Sequence, residues 1–163
     1  MISTIQGDIT SIASQAIVNS ANPSLLAGGG VCGAIHRVSG PKLEAACRLI
    51  GPIGSGQAVL TNAFNLPSRY VIHAVAPRYL DGSRGEAEGL RQTYTTICRL
   101  AAQHGITSLA IPSIGTGIYR FPLELAAEIA VETLKNSLPN RCHARFVCFD
   151  AETFKAYQSK TKG

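Results

Sequence analysis

The chain has no tryptophan, one methionine and only 6% aromatic residues. Proteins that hold nucleic acid on stacking platforms need aromatics interleaved with clustered Lys and Arg. Here the basic residues are scattered, apart from the tail KAYQSKTKG, and the net charge of +5 is a mild bias towards anionic ligands. Nucleic acid is therefore disfavoured as the main partner. No apolar run approaches the roughly 20 residues of a membrane helix. The opening MISTIQGDIT lacks the basic and long apolar regions of a signal peptide. The expectation is a cytoplasmic protein with no membrane contact. Charged residues are few, at 15%, and hydrophobic residues reach 45%, which excludes a disordered chain. The five cysteines are unpaired in pattern, with no C-x-x-C and no H-E-x-x-H. Free thiols in a reducing compartment are the leading reading and no metal is expected. Zinc held by some of Cys142, His143 and Cys148 is the alternative. No G-x-x-x-x-G-K-[ST] occurs, which argues against a nucleoside triphosphatase.

What is present is an alternation of strand-like and helix-like segments. The 163 residues suit one domain, residues 1–163. Ala16–Asn19, Ala58–Leu60, Tyr70–Val75, Ser108–Ile111 and Arg145–Phe149 read as strands, with Leu66-Pro67 as a turn. Val31–Val38 reads as the start of a helix. Arg84–His104 carries Leu90, Tyr94, Ile97 and Ala101 at helical spacing and ends at Gly105. Pro122 opens a helix over Leu123–Leu138, with Ala126, Ile129, Ala130 and Leu134 on its core face. A last helix covers Ala151–Gln158. Alternating strands and helices predict an α/β fold whose sheet is covered on both faces. Ligands of such sheets bind beyond the carboxyl ends of the strands.

Two glycine-rich stretches sit between a strand and a helix. Gly28-Gly29-Gly30-Val31-Cys32-Gly33 formally matches G-x-G-x-x-G. It lies too far beyond the strand, however, and Glu44 comes too early for a dinucleotide fingerprint. The physical use of the glycines survives that rejection. They allow close backbone approach, and successive N–H groups at a helix N-terminus attract anions. Pro112-Ser113-Ile114-Gly115-Thr116-Gly117-Ile118-Tyr119 repeats the arrangement. Two such loops suggest two neighbouring phosphates, or one pyrophosphate held from both sides. A sharp chain connection without a ligand is the alternative for either loop alone.

These residues fall into an ordered set. Gly7-Asp8-Ile9-Thr10 is followed by Ala16–Asn22 and Gly28–His36. Val71-Ile72-His73-Ala74-Val75 with Pro77, the Gly115–Tyr119 loop and Cys148-Phe149-Asp150 complete it. The set resembles the macrodomains, which bind ADP-ribose. GAIH followed by Ser39-Gly40-Pro41 resembles the branch of mono-ADP-ribosyl and O-acetyl-ADP-ribose hydrolases. The resemblance implies a three-layer α/β/α sandwich with a mixed, mostly parallel six-stranded sheet. It implies that Asp8 accepts from the adenine amino group, with Ile9 and Phe149 beside the base. Asn22 contacts the distal ribose, and Asn19 braces that loop. Gly29, Gly30 and Val31 line the diphosphate and distal ribose. Ser113, Gly115, Thr116, Gly117 and Ile118 wrap the diphosphate from the other side. Tyr119 closes over the distal ribose. Read from the residues alone, Asp8 is a turn or cap residue and His73 a satisfied core histidine.

Cys32 stands where many hydrolytic relatives carry Asp. A thiol with a reference pKa of about 8.5 is no direct substitute. Cys32 and His36 are four apart and so share a helix face, which permits a Cys/His pair. His36 is read more simply as orienting the loop or a water. The candidate catalytic residues are thus Asn22, Gly30, Cys32, His36 and Tyr119. The activity implied is hydrolysis of ADP-ribosyl esters of Asp or Glu, or deacetylation of O-acetyl-ADP-ribose, without a cofactor. Slow turnover is expected, since a general base typically contributes about 10²–10⁴-fold. A reader that binds ADP-ribose without turnover is the alternative. The partners implied are ADP-ribose and ADP-ribosylated proteins, with ADP-ribosylated nucleic acid as an extension, and the chain is expected to be a monomer. Arg120, where relatives often have Gly, narrows or charges the cleft rim on one reading and is a solvated residue on the other.

Overall fold

A computed structural model describes residues 1–162. The strands are β1 (Ile2–Gln6), β2 (Ser14–Ser20), β3 (Ala58–Asn62), β4 (Ser68–Ala74), β5 (Ser108–Ile111) and β6 (His143–Cys148). The helices are α1 (Gly30–Ser39), α2 (Pro41–Ile50), α3 (Glu86–Gln103), α4 (Leu123–Ser137) and α5 (Ala151–Thr161). All six strands form one sheet in the order β1-β6-β5-β2-β4-β3. Neighbours run parallel except β3, which pairs antiparallel with β4. The expected α/β sandwich with a mixed sheet is therefore the fold observed.

Side-chain alternation along the strands builds two cores. Ala16 and Val18 of β2 and Ile72 and Ala74 of β4 face the layer of α3, α4 and α5. Ile17 of β2 and Val71 of β4 face the layer of α1 and α2, with Ala110 and Val147 beside them. In each strand, odd and even positions serve opposite helical layers, as the pleat requires. Burying both faces explains why the central strands are nearly all apolar.

Two elements go beyond the expectation from sequence. β1 is a half-buried edge strand, and ISTIQ shows neither clean alternation nor an apolar run. α2 follows α1 with only Gly40 between them, whose φ of 93° turns the chain so that Pro41 can open the next helix. Observed boundaries elsewhere differ by a residue or two, and by three at the end of α5, which runs on to Thr161. The last strand starts at His143 and ends at Cys148, leaving Phe149 outside it.

The topology fixes where a ligand can lie. After β2 the chain passes through α1 and α2 to the edge strand β3 and returns in β4, all on one side of β2. After β5 it crosses through α4 to β6, on the other side. The two connections depart in opposite directions over opposite faces, so the ends of β2 and β5 part to leave a crevice. This is the switch point at which open α/β sheets bind ligands.

Candidate functional site

A cleft of about 740 Å³ opens at that point. It is lined by the segments that follow β1, β5 and β6 and by one face of α1. At one end stand Asp8, Ile9, Phe149, Asp150 and Thr153; towards the other stand Gly30, Val31, Thr116 and Gly117.

The first end suits a flat polar base. The Oδ1 atom of Asp8 accepts from the backbone N–H of Thr10 at 2.9 Å and from its hydroxyl at 2.7 Å. These bonds hold the carboxyl below its usual range, with Arg37 adding a smaller charge effect. Asp8 is thus both the cap its residue type suggests and an ionised acceptor whose Oδ2 is left over for a ligand. Asp150 repeats the arrangement, capping α5 through Thr153 N–H at 2.7 Å. Phe149 is 80% exposed, an aromatic ring offered to the cleft instead of to the core.

The glycine end offers backbone donors. Gly29 is the N-cap of α1 and supplies no side-chain cap. The first helical bond, Gly33 N–H to Gly29 C=O at 3.2 Å, leaves the amides before it uncommitted. Gly30 and Val31 among these line the cleft. Across from them, Thr116 and Gly117 line the cleft, while Gly115 and Ile118 of the same loop do not; the N–H groups of all four donate to no protein acceptor among the described residues. The second loop is held from behind. The Ser113 hydroxyl lies 2.7 Å from Thr116 Oγ1 and 2.9 Å from the Tyr157 hydroxyl. Phe121 N–H donates to Gly115 C=O at 2.9 Å. Two sets of N–H donors around one crevice, one at a helix N-terminus, suit a diphosphate.

The structure separates the remaining sequence candidates by helix face. Gly30, Ala34 and Arg37 point to the cleft. Cys32, Ile35, His36 and Ser39 point into the protein. Cys32 and His36 do share a face, but it is the buried one, and neither lines the cleft. The Cys32 thiol donates to Leu26 C=O at 3.6 Å and receives the Asn19 amide at 3.7 Å. No hydrogen bond links it to His36 among the described residues. Asn19 also donates to His73 Nδ1 at 3.2 Å, an arrangement set by their adjacent register on β2 and β4. Nδ1 is then an acceptor, so Nε2 carries the proton and donates to Thr61 Oγ1 at 3.0 Å. Burial, with the nearby His36, lowers the pKa of His73 to about 4. His73 is the satisfied core histidine expected. His36 is lowered too by burial, and neither of its ring nitrogens has a partner.

Asn22 stays outside the cleft lining and braces the first loop. Its amide donates to Leu26 C=O at 2.9 Å and accepts from Ser24. Tyr119 also lies beyond the lining, with the guanidinium of Arg78 5.6 Å above its ring. Among the described residues no group of three metal-ligating side chains forms. Cys142 and Cys148 both point into one core, and at about 3.3 Å per residue they stand roughly 20 Å apart along β6. All five thiols are free and buried. The sequence reading missed Arg37, Asp150 and Tyr157. Arg37 had a signal, the spacing from Gly30 and Ala34. Tyr157 had none, because it reaches Ser113 across 44 positions.

The profile of the Macro domain family matches residues 18–130. The chain belongs to this family. As a macrodomain it is 48% identical over 163 residues to O-acetyl-ADP-ribose deacetylase 1 of Pantoea vagans, covering 96% of this chain and 95% of the relative. It is 45% identical over 166 residues to a macro domain-containing protein of Cupriavidus necator, covering 98% and 96%. Among solved structures, the Oceanobacillus iheyensis macrodomain with ADP superposes with a TM-score of 0.93 at 36% identity, covering 98% of this chain and 88% of that one. The Trypanosoma brucei macrodomain in complex with ADP-ribose gives 0.87 at 34%, covering 98% and 68%. No helix of this macrodomain, among the described residues, is long and apolar enough to cross a membrane.

Proposed function

We propose that this macrodomain binds ADP-ribose in the cleft and hydrolyses esters on its distal ribose. The substrates are O-acetyl-ADP-ribose and protein Asp or Glu side chains esterified to ADP-ribose. The observation that carries this reading is the pairing of an ionised acceptor at one end of the cleft with two sets of free backbone donors at the other. Adenine meets Asp8 Oδ2, the backbone of Ile9 and the ring of Phe149. The diphosphate meets Gly30 and Val31 on one side and the loop from Ser113 to Ile118 on the other. The distal ribose then extends past Gly29 towards Asn22 and Tyr119.

In the hydrolysis, one water adds across the ester, giving a hydroxyl on the sugar and a carboxylic acid that ionises. The cleft contributes by fixing the sugar between the two loops, and orientation alone lowers barriers by several kcal/mol. Cys32 and His36 act through the loop. The thiol holds the carbonyl of Leu26, and the His36 ring fills the space beneath α1. This arrangement supports a water-based reaction that needs no acid or thiolate at position 32. The buried thiol, with no carboxylate in its place, is also what favours the second reading, an ADP-ribose reader without turnover.

Single-turnover release of ADP-ribose from a protein carrying an aspartyl- or glutamyl-linked modification tests the proposal. Wild type and Cys32→Ala are expected to release it, and Asn22→Ala to lose release. Tight binding of ADP-ribose with no release by wild type would establish the reader instead. Loss in Cys32→Ala with affinity intact would restore a thiol to the chemistry.

A further inference from the structure

Two segments cross beside the second glycine loop, where Tyr79 N–H donates to Tyr119 C=O at 2.7 Å. They bring Arg78, Leu80, Ile118 and Arg120 to one exposed rim. Ile118 is 88% and Leu80 64% exposed, bare aliphatic side chains with no role in either core. Arg78 and Arg120 are exposed and make no salt bridge among the described residues. The acidic groups nearby are already committed. Asp81 pairs with Arg84 at 3.3 Å. Glu86 is buried and takes four backbone N–H groups, those of Leu80, Asp81 and Gly82 on Oε2 and that of Arg84 on Oε1. These bonds hold the Leu80–Arg84 turn in one shape and pull the Glu86 pKa down to about 2. The rim therefore presents two arginines without an ion-pair partner among the described residues, and apolar surface, beside a preformed turn.

Arg120 strengthens the case. Its φ is 65°, in the left-handed region that glycine adopts freely and that disfavours any side chain. An arginine held there against its backbone preference points to a use for the guanidinium.

We infer that this rim docks the protein to which ADP-ribose is attached, recognising a segment that carries acidic side chains beside an aliphatic one. The inference rests on the reading that the cleft takes ADP-ribose with its distal ribose towards Tyr119. A modified Asp or Glu then leaves the cleft at this rim, and neighbouring carboxylates meet Arg78 and Arg120. The fully exposed apolar side chains at the rim are aliphatic, and its two aromatics, Tyr79 and Tyr119, are half-buried, with Arg78 over the Tyr119 ring, which favours a peptide over a nucleic acid.

The test measures affinity of the full chain for ADP-ribose joined through a non-hydrolysable link to peptides with acidic or neutral flanks. Free ADP-ribose, the unconjugated acidic peptide and an ADP-ribosylated single-stranded DNA end are run beside them. The acidic conjugate is expected to bind about five- to tenfold tighter than the neutral one, less so at high salt. The double variant Arg78→Gln/Arg120→Gly is expected to abolish that preference, read as the ratio of the two conjugates' affinities so that any change in free ADP-ribose affinity cancels. Leu80→Ser is expected to weaken both conjugates alike. Equal binding of acidic and neutral conjugates by wild type would overturn the inference, as would a preference that survives the double variant. Preference for the DNA end that depends on the same arginines would overturn it in favour of nucleic acid. If free ADP-ribose itself does not bind, the reading of the cleft fails. NMR shifts at Leu80 and Arg120 with the unconjugated peptide then still decide the rim, their presence supporting it and their absence overturning it.

Discussion

The two glycine loops do similar work with different supports. The first runs straight into α1, so its donors gain from the helix dipole. It rests on a buried polar chain, from Cys32 through Asn19 and His73 to Thr61. The second is separated from α4 by Tyr119, Arg120, Phe121 and Pro122 and gains nothing from a helix end. It rests instead on hydroxyls, those of Ser113, Thr116 and Tyr157, and on the ring of Phe121. One loop is attractive because of the element it begins. The other is attractive because its amides have been left without partners. The first loop depends on close packing and on a neutral histidine, and the second on backbone conformation.

Breaking the first loop should have the largest effect. A Cβ at Gly33 would overlap the carbonyl oxygen of Gly28, which is backbone and cannot swing away. Gly33→Ala should cost about 3 kcal/mol and lower Tm by roughly 8 °C. Calorimetry checks this, with ADP-ribose affinity falling alongside. Gly29→Ala is the control for stability alone, since a Cβ there meets no protein atom within 4 Å.

Acid should weaken the first loop's support nearly as much. Burial lowers the pKa of His73 from 6.5 to about 4. Between those values the unfolded chain binds a proton that the folded chain excludes. Stability is therefore intact above pH 6.5 and lost progressively as pH falls towards 4, by up to about 3 kcal/mol. His36, lowered by burial, adds in the same direction. Urea midpoints across that range should fall for wild type and fall less for His73→Gln.

The second loop should yield to a smaller change. Gly115 has φ of 88° and a Cβ there would sit 2.9 Å from the Phe121 ring. Gly115→Ala should cost about 1–2 kcal/mol, read as a shift in urea midpoint, with no change in pH dependence. At the base-binding end, Asp8→Asn keeps an acceptor for Thr10 and turns the other oxygen into a donor. ADP-ribose affinity measured by calorimetry should drop about tenfold, with Tm nearly constant. Arg120→Gly should give the smallest effect, a gain of about 0.5 kcal/mol as the left-handed backbone relaxes.

Much of this was legible in the chain. The strand and helix periods gave the layered fold, and the glycines marked the two loops that border the cleft. The helix period also carried a lesson that residue type obscured. Cys32 and His36 drew attention as reactive side chains, yet their two- and six-residue offsets from Gly30 put them off the cleft face. The four- and seven-residue offsets of Ala34 and Arg37 put those two on it. β1 escaped because a half-buried edge strand need not alternate. The support of the second loop by Tyr157 escaped because no local pattern encodes a contact between α5 and the end of β5.

The sequence by itself determined the alternation of elements, the two places where backbone could be bared to an anion, and the turn or cap role of Asp8. These follow from local rules of period, conformation and side-chain chemistry, which act over a few residues. Only the tertiary structure decided that β2 and β5 are neighbours whose connections depart in opposite directions. That choice turns two separate loops into one crevice. It also decided that the Cys32 thiol is spent on Leu26 and Asn19, and that Arg78 and Arg120 meet at one rim. Such pairings depend on sheet order and register, which are fixed by burying both faces of the whole sheet and not by any single segment.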